Sequence, residues 1–255
     1  MNAHEILSAR ANPNVQDYRT RYPVPIHWIF KKDEQFGMEY FGYLDLVLKT
    51  LKKYVKTGSN VFDIGCGDGK MSSLMIESGY DVTGFDFSPD AIGFAKLINR
   101  RDSFHVVDLE KDALPVHGQA QGIIMVEVLE HLHPKHYPRV LADIKSHLTD
   151  DGIFIVSLPS RDLPLNERWH YVHVEEKEFV DLMTENGWSI TERIYNYRLN
   201  HPASWILQHG WRLLDNKYWR LNLFCRLLAK WYTSSCNECL QHQKPARFIF
   251  VCKKA

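Results

Sequence analysis

The 255-residue sequence predicts an α/β fold built on a parallel sheet. Two observations support this prediction. Short apolar segments of strand length alternate with helical patterns from residue 39 to 195, which is the order typical of parallel strands joined by helices. The first strand also runs directly into a glycine-rich turn, VFDIGCGDG at residues 61–69, and such a turn is the usual ligand cradle of an open α/β sheet.

The elements follow from apolar periodicity and from turn residues. A first helix spans residues 39–56, where apolar residues recur at helical spacing, and Gly58 ends it. Next come strand 60–64, helix 69–78, strand 81–85, helix 89–100, strand 103–107, strand 122–126, helix 135–148 and strand 152–157. Helix 175–186, strand 188–195 and a last apolar strand, ARFIFVCKK, complete the pattern.

Two local signals support the element boundaries. Ser88 followed by Pro89 is typical of a helix N-terminus, because serine caps the first turn and proline fits its first position. Asp150-Asp151-Gly152 predicts a turn before the strand that follows it.

The composition divides the chain into four regions. Residues 1–37 form an arm of prolines, aromatics and charges with one short helix, 38–198 a core, 199–245 an insert, and 246–255 the final core strand. The insert carries four of the seven tryptophans and an excess of four positive charges. Its apolar stripe (Leu221, Phe224, Leu228 and Trp231) fits a helical lid on the core, a surface for a bilayer or lipid-linked substrate, or a homodimer contact.

Charge and cysteine usage restrict the partners and the compartment. Lys and Arg together number 31, as do Asp and Glu, and this balance argues against a nucleic-acid partner. Five scattered cysteines are typical of reduced thiols. The first residues, MNAHEILSARANP, lack the apolar stretch of a signal peptide, and no run approaches a membrane span of about 20 residues. We therefore expect a cytoplasmic protein, with peripheral membrane contact through 199–245 as an alternative.

The glycine-rich turn favours one kind of nucleotide over another. Its glycines let the backbone approach a ligand, and the next helix offers free N–H groups. A dinucleotide-binding turn reads G-x-G-x-x-G, whereas here Lys70 occupies the sixth position. Asp63, just before the turn, would repel a pyrophosphate but attract an ammonium group. The turn therefore indicates a nucleoside that carries an amino acid.

Two further acids end the next two strands. Asp86 lies twenty-one residues beyond Gly65, where a carboxylate can accept both ribose hydroxyls. Asp108 ends the third strand, where it can accept a hydrogen bond from an exocyclic amine such as that of adenine. Three acids on successive strands thus describe one pocket for amine, ribose and base.

On these residues the chain resembles the class I S-adenosylmethionine-dependent methyltransferases, over residues 38–197 and the final strand. The resemblance implies a Rossmann-like seven-strand methyltransferase sheet, with the helical insert before the last strand, and S-adenosylmethionine as cofactor. It also implies that Asp63, Gly65, Gly67 and Gly69 hold the methionine part of the cofactor and that Asp86 holds its ribose. Asp108 and Leu109 would contact the adenine, and Phe87 would pack on the purine. Cys66 and Glu127 are the other expected cofactor-binding residues.

The segment EVLEH, residues 127–131, follows the fourth strand. If it is helical, Glu127, Glu130 and His131 share a face that could hold a divalent metal or position a base. The segment is similar to that of metal-dependent small-RNA 2′-O-methyltransferases, which implies Glu127, Glu130, His131 and His173 as metal ligands. It also resembles ubiquinone-pathway O-methyltransferases. In metal-free alternatives His131 or His173 is a general base, or Glu130 and His131 only pack the next helix.

The favoured function is O-methylation of a small or lipid-linked acceptor by cofactor-driven displacement. One alternative within enzymes is metal-assisted 2′-O-methylation of an RNA end. An alternative from another class is a membrane-associated binding or assembly factor that keeps the methyltransferase fold.

Overall fold

The computed structural model describes residues 2–15, 23–29, 35–166, 168–197 and 244–255. Its seven strands form one sheet in the order β3-β2-β1-β4-β5-β7-β6. They are β1 (Asn60–Ile64), β2 (Asp81–Asp86), β3 (Phe104–Val106), β4 (Ala120–Val126), β5 (Leu148–Pro159), β6 (Trp188–Asn196) and β7 (Arg247–Lys254). The first five pair in parallel, and β7 runs antiparallel between β5 and β6. The seven-strand sheet is confirmed, with one antiparallel strand.

The helices follow the predicted order. They are α1 (Ala3–Ala9), α2 (Ile26–Ile29), α3 (Gln35–Tyr54), α4 (Lys70–Glu77), α5 (Pro89–Asn99), α6 (Tyr137–Ser146) and α7 (Glu176–Glu185). Ser88 caps α5 as predicted, since its Oγ accepts a hydrogen bond from the Ala91 N–H at 3.3 Å. Helix α1 was not predicted, whereas α2 is the short helix expected in the arm.

Alternate strand residues bury opposite faces of the sheet. Phe62 and Ile64 belong to the core beneath α6 and α7, whereas Val61 belongs to the core beneath α3 and α4. Helices therefore cover both faces, as in other parallel sheets. The carboxyl ends of β1, β2 and β4 remain together at one edge, where the glycine turn and the EVLEH segment lie.

Two local predictions need correction. Asp150, Asp151 and Gly152 are not a turn before a strand but part of β5. Ala120 on β4 pairs with Leu148 on β5, and Gly122 pairs with Ile153. One residue lies between the two β4 positions but four lie between the two β5 positions, so residues 149–152 form a bulge in β5. The EVLEH segment forms a single 3-10 turn, Leu129–His131, and Glu127 precedes it with φ +54°. The helical face that Glu127 would share with Glu130 and His131 is therefore not formed.

The predicted stripe of the insert, at residues 221–231, lies outside the described residues, as do all positions from 198 to 243. Among the helices that the structure describes, none has the length and apolar character needed to cross a membrane.

Candidate functional site

A cavity of about 530 Å³ opens where β1 and β4 end. The glycine turn forms one side of it, and the EVLEH segment and the loop before α7 form the other. The residues that line it include His27, Tyr43, Asp63, Gly65, Cys66, Gly67, Lys70, Glu127, Glu130, His131, His170 and Arg247. Residues far apart in the sequence thus meet at the sheet edge predicted for the ligand.

The glycine turn needs its glycines for conformation and for space. Gly65 has φ +73°, and a Cβ there would overlap the Val128 side chain of the EVLEH segment. Gly69, the N-cap of α4, has φ +79°, and its Cβ would lie 2.9 Å from the Cβ of Ala95. Both close approaches hold the turn against its neighbours and keep its backbone accessible at the cavity.

Asp63 lies buried at the cavity floor. It accepts a hydrogen bond from Ser72 Oγ at 2.5 Å, and burial raises its pKa to about 7, with the nearby Asp86 adding to the effect. A cationic group in the cavity would favour its ionised form. Asp63 is therefore suited to accept an ammonium group, as the sequence predicts.

Asp86 braces the glycine turn from the end of β2. Its carboxylate accepts hydrogen bonds from the backbone N–H groups of Gly67 and Ser88, each at 2.9 Å. Burial raises its pKa to about 6, although these two hydrogen bonds oppose the shift. This fixed position beside the turn is compatible with the predicted ribose contact.

Five of the predicted cofactor residues do not line the cavity, namely Gly69, Asp86, Phe87, Asp108 and Leu109. The carboxylate of Asp108 is 2.8 Å from Lys111 Nζ and also accepts the Glu110 N–H at 3.1 Å. Leu109 is buried in the core beneath α6, and Phe87 is half-buried directly after Asp86. The adenine contacts assigned to these three residues remain predictions.

Helix α2 of the arm is fastened to the glycine turn through Asp68. This residue is fully buried, and both of its carboxylate oxygens contact His27. Oδ2 accepts from the His27 backbone N–H at 2.9 Å, and Oδ1 lies 3.0 Å from His27 Nδ1. Trp28 Nε1 donates to the Asp68 carbonyl oxygen at 3.1 Å, and Lys70 Nζ lies 3.8 Å from the centre of the Trp28 ring. The arm therefore covers the cavity from the side of the turn.

Glu127 is engaged on the opposite side of the cavity. Its Oε2 accepts from Arg247 Nε at 2.9 Å and its Oε1 from the Tyr43 hydroxyl at 3.3 Å. Tyr43 also hydrogen-bonds Ser157 on β5. These contacts join the first residue of β7 to the end of β4 and offset the charge of Glu127.

Glu130 is the most unusual group of the site. Its side chain is buried, lines the cavity, and has no hydrogen-bond partner for either carboxyl oxygen among the described residues. Burial, together with the nearby Glu127, raises its pKa well above the usual range. A carboxylate that is buried and unsatisfied at a cavity wall is a site for a proton or a cation.

Two histidines, His131 and His170, lie close to Glu130, and a third, His173, contacts His170. His131 Nδ1 lies 2.9 Å from the Trp169 carbonyl oxygen. His170 Nδ1 lies 2.7 Å from His173 Nε2, and His173 Nδ1 lies 3.1 Å from the Leu163 carbonyl oxygen. Burial lowers the pKa of His131 to about 4 and that of His170 to about 3, so both imidazoles are neutral at neutral pH.

The structure therefore brings together only some of the predicted catalytic and metal-binding residues. Possible ligand atoms of Glu130, His131 and His170 all lie within 4.8 Å of one another. His173 is set behind His170, and Glu127 is paired with Arg247. His170, Tyr43 and Arg247 were not predicted as site residues, although His170 belongs to the same H-x-x-H segment as His173.

Comparison with known proteins places the chain in a family. The methyltransferase domain model matches residues 37–193. The cyclopropane-fatty-acyl-phospholipid synthase of Escherichia coli K12 is 32% identical over 116 residues, which are 45% of this chain and 30% of that protein. The ubiquinone biosynthesis O-methyltransferase of Aromatoleum aromaticum is 35% identical over 79 residues, 29% of this chain and 34% of that protein. The chain thus spans about a third of the length of these relatives.

A solved structure shares the fold. Magnesium protoporphyrin IX methyltransferase from Synechocystis PCC 6803, crystallised with bound S-adenosylmethionine, aligns with a TM-score of 0.54 over 79% of this chain and 93% of that chain, at 20% identity. The family model covers more than half of the residues. The chain belongs to the methyltransferase domain family, in the class I S-adenosylmethionine-dependent group.

Proposed function

We propose that this protein transfers a methyl group from S-adenosylmethionine to a hydroxyl of a small or lipid-linked acceptor. One observation carries the proposal. The glycine turn with Asp63 and the group formed by buried Glu130 and half-buried His131 and His170 face the same cavity. A methyl donor held at the turn would therefore be opposite polar side chains able to bind and deprotonate a hydroxyl.

The chain's residues have separate roles in this mechanism. Asp63 would hold the ammonium group of the donor, Asp86 its ribose, and the glycine turn its methionine backbone. The bound cofactor supplies the activated methyl group, and transfer is an in-line displacement at carbon. Helix α2, fastened through Asp68, would exclude water from that side of the cavity. Alignment of the acceptor oxygen is then the main task of the opposite wall.

The acceptor proton would pass to a histidine. His131 and His170 are neutral, and each has its Nδ1 engaged, which directs the lone pair of Nε2 away from that contact. Glu130 lies within 4.8 Å of both and would stabilise the imidazolium that forms. His173, contacted by His170, is then a positioning residue rather than the base that the sequence suggested.

The acceptor class is supported by the relatives and by the insert. The names of two relatives mention lipids, the cyclopropane-fatty-acyl-phospholipid synthase and a sphingolipid C9-methyltransferase of Emericella nidulans, and a third is an O-methyltransferase. The basic, tryptophan-rich sequence 199–245 agrees with peripheral contact to a membrane that holds such an acceptor, and with a homodimer contact as the other use of its apolar stripe.

A second candidate, metal-assisted 2′-O-methylation of an RNA end, is favoured by one observation, the group of Glu130, His131 and His170. The balanced charge of the chain weighs against it. Methylation assays with a ribose-terminated RNA oligonucleotide and with a lipid extract would separate the two acceptors.

Calorimetry with S-adenosylmethionine tests the donor half of the proposal. We expect one bound equivalent for the unaltered protein and loss of binding in Asp86→Ala, whereas Asp90→Ala, at an exposed position on α5, leaves binding unchanged. Mass spectrometry of extract incubated with labelled cofactor, with and without the protein, then identifies the acceptor. Absence of cofactor binding by the unaltered protein would overturn the proposal.

A further inference from the structure

We infer that the amino-terminal segment 2–12 clamps the loop before α7, with Arg10 and Asn12 as positioning residues of the cavity wall opposite the glycine turn. The loop runs between β5 and α7 and carries His170, which lines the cavity. The clamp itself is a property of the fold, whereas its use in aligning an acceptor rests on the proposed function. Neither Arg10 nor Asn12 lines the cavity, so each would act through the loop.

Helix α1, the main part of the segment, is fixed to α7 at both of its ends. At its start, the Ala3 N–H donates to Oε2 of Glu185, the last residue of α7, at 2.8 Å. At its end, the Arg10 guanidinium pairs with Glu178 in the first turn of α7. Leu7, between these two contacts, is buried in the core beneath α6 and α7. The residues that follow α1 therefore leave from a fixed point beside the loop.

The end of the segment supplies donors to carbonyl groups of the loop. The Asn12 N–H donates to the Tyr171 carbonyl oxygen at 2.8 Å. Asn12 Nδ2 lies 3.4 Å from the His170 carbonyl oxygen, and Nη2 of Arg10 lies 3.5 Å from that of His173. An irregular loop has no helix or strand ladder of its own, so donors from another segment satisfy its backbone and set its position.

Tyr171 extends this contact to the EVLEH segment. Its own N–H donates to the Glu130 carbonyl oxygen at 2.7 Å, so the backbones of Asn12, Tyr171 and Glu130 are hydrogen-bonded in series. The Tyr171 ring also lies 5.2 Å from the ring of His133. Helix α1 itself contacts the 3-10 turn Pro134–His136, which follows the EVLEH segment. The clamp thus joins both segments that form this wall of the cavity.

The state of the His170 ring depends on where the loop backbone lies. Burial lowers the pKa of His173, so this second ring is neutral at neutral pH. Its Nδ1 lies 3.1 Å from the Leu163 carbonyl oxygen, which can only accept, so its Nε2 accepts from Nδ1 of His170 at 2.7 Å. His170 therefore keeps its proton on Nδ1 and its lone pair on Nε2. A displaced loop would break this series of bonds and release the ring.

Donor binding should not depend on the clamp. The glycine turn is held by Asp86, which accepts from the Gly67 N–H, and by α2, which contacts Asp68. The opposite wall needs accurate geometry, because a displacement of about 1 Å can cost roughly 100-fold in rate. Loss of the clamp should therefore slow methyl transfer without weakening cofactor binding.

Nitrogen-15 NMR of the histidine rings at neutral pH tests the clamp. We expect His170 and His173 each to show one fixed tautomer, with the proton on Nδ1. The His170 signals should shift toward the average of two tautomers in Arg10→Met and in Asn12→Asp. The second variant keeps the side-chain oxygen that accepts from the Asn14 N–H but loses the donor. Arg10→Lys keeps a cation beside α7 and should restore the fixed tautomer.

Arg161→Gln is the matched control. Its guanidinium lies 3.9 Å from the Glu178 oxygen that Arg10 holds, but it pairs with exposed Glu175 at 2.7 Å and is half exposed itself. Exposed pairs of this kind contribute little, so the ring signals should stay as in the unaltered protein. A role of Arg10 in overall stability alone would leave the tautomer fixed in every folded variant.

Cofactor binding and methyl transfer separate this inference from the proposed function. With labelled S-adenosylmethionine and an extract of cells that lack the protein, Arg10→Met should lower the maximal rate about 10- to 100-fold. Calorimetry should show unchanged cofactor affinity. Absence of transfer by the unaltered protein would count against the proposed function, and the ring signals would still decide the clamp.

Unchanged ring signals in both Arg10→Met and Asn12→Asp would overturn the inference. A fixed His170 tautomer together with a rate equal to that of the unaltered protein would do so as well. Circular dichroism of each variant checks the fold, and should Arg10→Met not fold, Asn12→Asp decides the outcome.

Discussion

Arg247 donates from Nε to Oε2 of Glu127 at 2.9 Å, across 120 positions of sequence. Arg247 begins β7, and its guanidinium also lies 5.1 Å from the centre of the Tyr43 ring. The contact thus joins the last strand of the chain, helix α3 and the end of β4 at the cavity wall. It engages Glu127, which begins the EVLEH segment in the unusual φ +54° conformation.

Replacement of Arg247 by Gln should therefore destabilise the protein. The change leaves a half-buried carboxylate without its charged partner, and we expect the free energy of unfolding to fall by about 1–2 kcal/mol. Urea denaturation measures it. Lys254→Gln is the matched control on the same strand, because its partner Asp150 is fully exposed and such pairs contribute about 0–1 kcal/mol. Equal losses in both variants would contradict this account.

Gly65→Ala should abolish cofactor binding. The new methyl group would overlap Val128 in a backbone region that alanine rarely adopts, so the turn must move and stability should fall by about 2 kcal/mol or more. Gly93→Ala is the control, since nothing lies within 4 Å of its added Cβ and alanine favours the interior of α5 by roughly 0.5–1 kcal/mol. Thermal melts and calorimetry report both quantities. Unchanged cofactor affinity in Gly65→Ala would show that the turn is not the cradle.

Cofactor affinity should rise with pH through the titration of Asp63. Its folded pKa of about 7 lies above the unfolded value of about 3.9. The folded state therefore binds the extra proton, and the stability due to this group is lost as the pH rises from about 4 to 7. Binding of an ammonium group needs the ionised form, so affinity should be roughly fivefold higher at about pH 7 than at about pH 6.

Calorimetry in buffers of different ionisation enthalpy measures the proton released on binding. Cys66 lines the cavity beside Asp63, and Asp86, whose pKa is raised to about 6, interacts electrostatically with Asp63. Asp86 should contribute a smaller release at lower pH. Asp63→Asn should remove most of the release near pH 6.5, whereas Asp90→Asn should not. Persistence of the full release in Asp63→Asn would assign it to another group.

The contact of α2 with Asp68 should control how long the cofactor stays bound. Asp68→Ala removes two hydrogen bonds to His27, and a hydrogen bond to a charged group contributes about 1.5–3 kcal/mol. We expect the dissociation rate to rise about tenfold or more, and stopped-flow fluorescence of Trp28 reports it. His27→Ala, which keeps the backbone donor, should give a smaller increase. Dissociation at the original rate in Asp68→Ala would remove the covering role of the arm.

Deletion of residues 198–243 should separate donor binding from acceptor methylation. The N–H of Ala246 donates to the Asn196 carbonyl oxygen at 2.8 Å, so β6 and β7 are already joined where the segment leaves and returns. With a linker of about five residues, which is typical of a hairpin connection, we expect unchanged cofactor affinity and loss of methylation of the natural acceptor. Loss of cofactor affinity in the deletion variant would place donor contacts in the segment.

Local signals predicted the methyl donor. A nucleoside carrying an amino acid was indicated by the glycines, by Lys70 at the sixth position and by Asp63. These residues all lie within ten positions of one another, so a short stretch of sequence is enough to identify the pattern. The Ser88 cap of α5 could be predicted for the same reason, since its hydrogen bond spans only three residues. Helix α1 was missed because its seven residues are too few for a periodic pattern, and Leu7 is buried only by packing with the rest of the fold.

The other half depends on contacts between distant segments. No pattern in ARFIFVCKK indicates that Arg247 meets Glu127. The choice between His170 and His173 is set by the Leu163 carbonyl oxygen, which holds His173 and thereby turns His170 to the cavity. Hydrogen bonds in irregular loops have no sequence period, so only the folded chain distinguishes two histidines three residues apart.

The direct pairing of Asn196 with Arg247 has an evolutionary consequence. The segment between them enters and leaves the sheet through two adjacent residues, so a lineage could exchange it for an unrelated one at the cost of a single hairpin connection. The strands that carry the glycine turn and the acids lie on the far side of β5 and would be inherited unchanged. Paralogues of this chain are therefore expected to diverge in length and composition between these two positions while their donor halves remain alike.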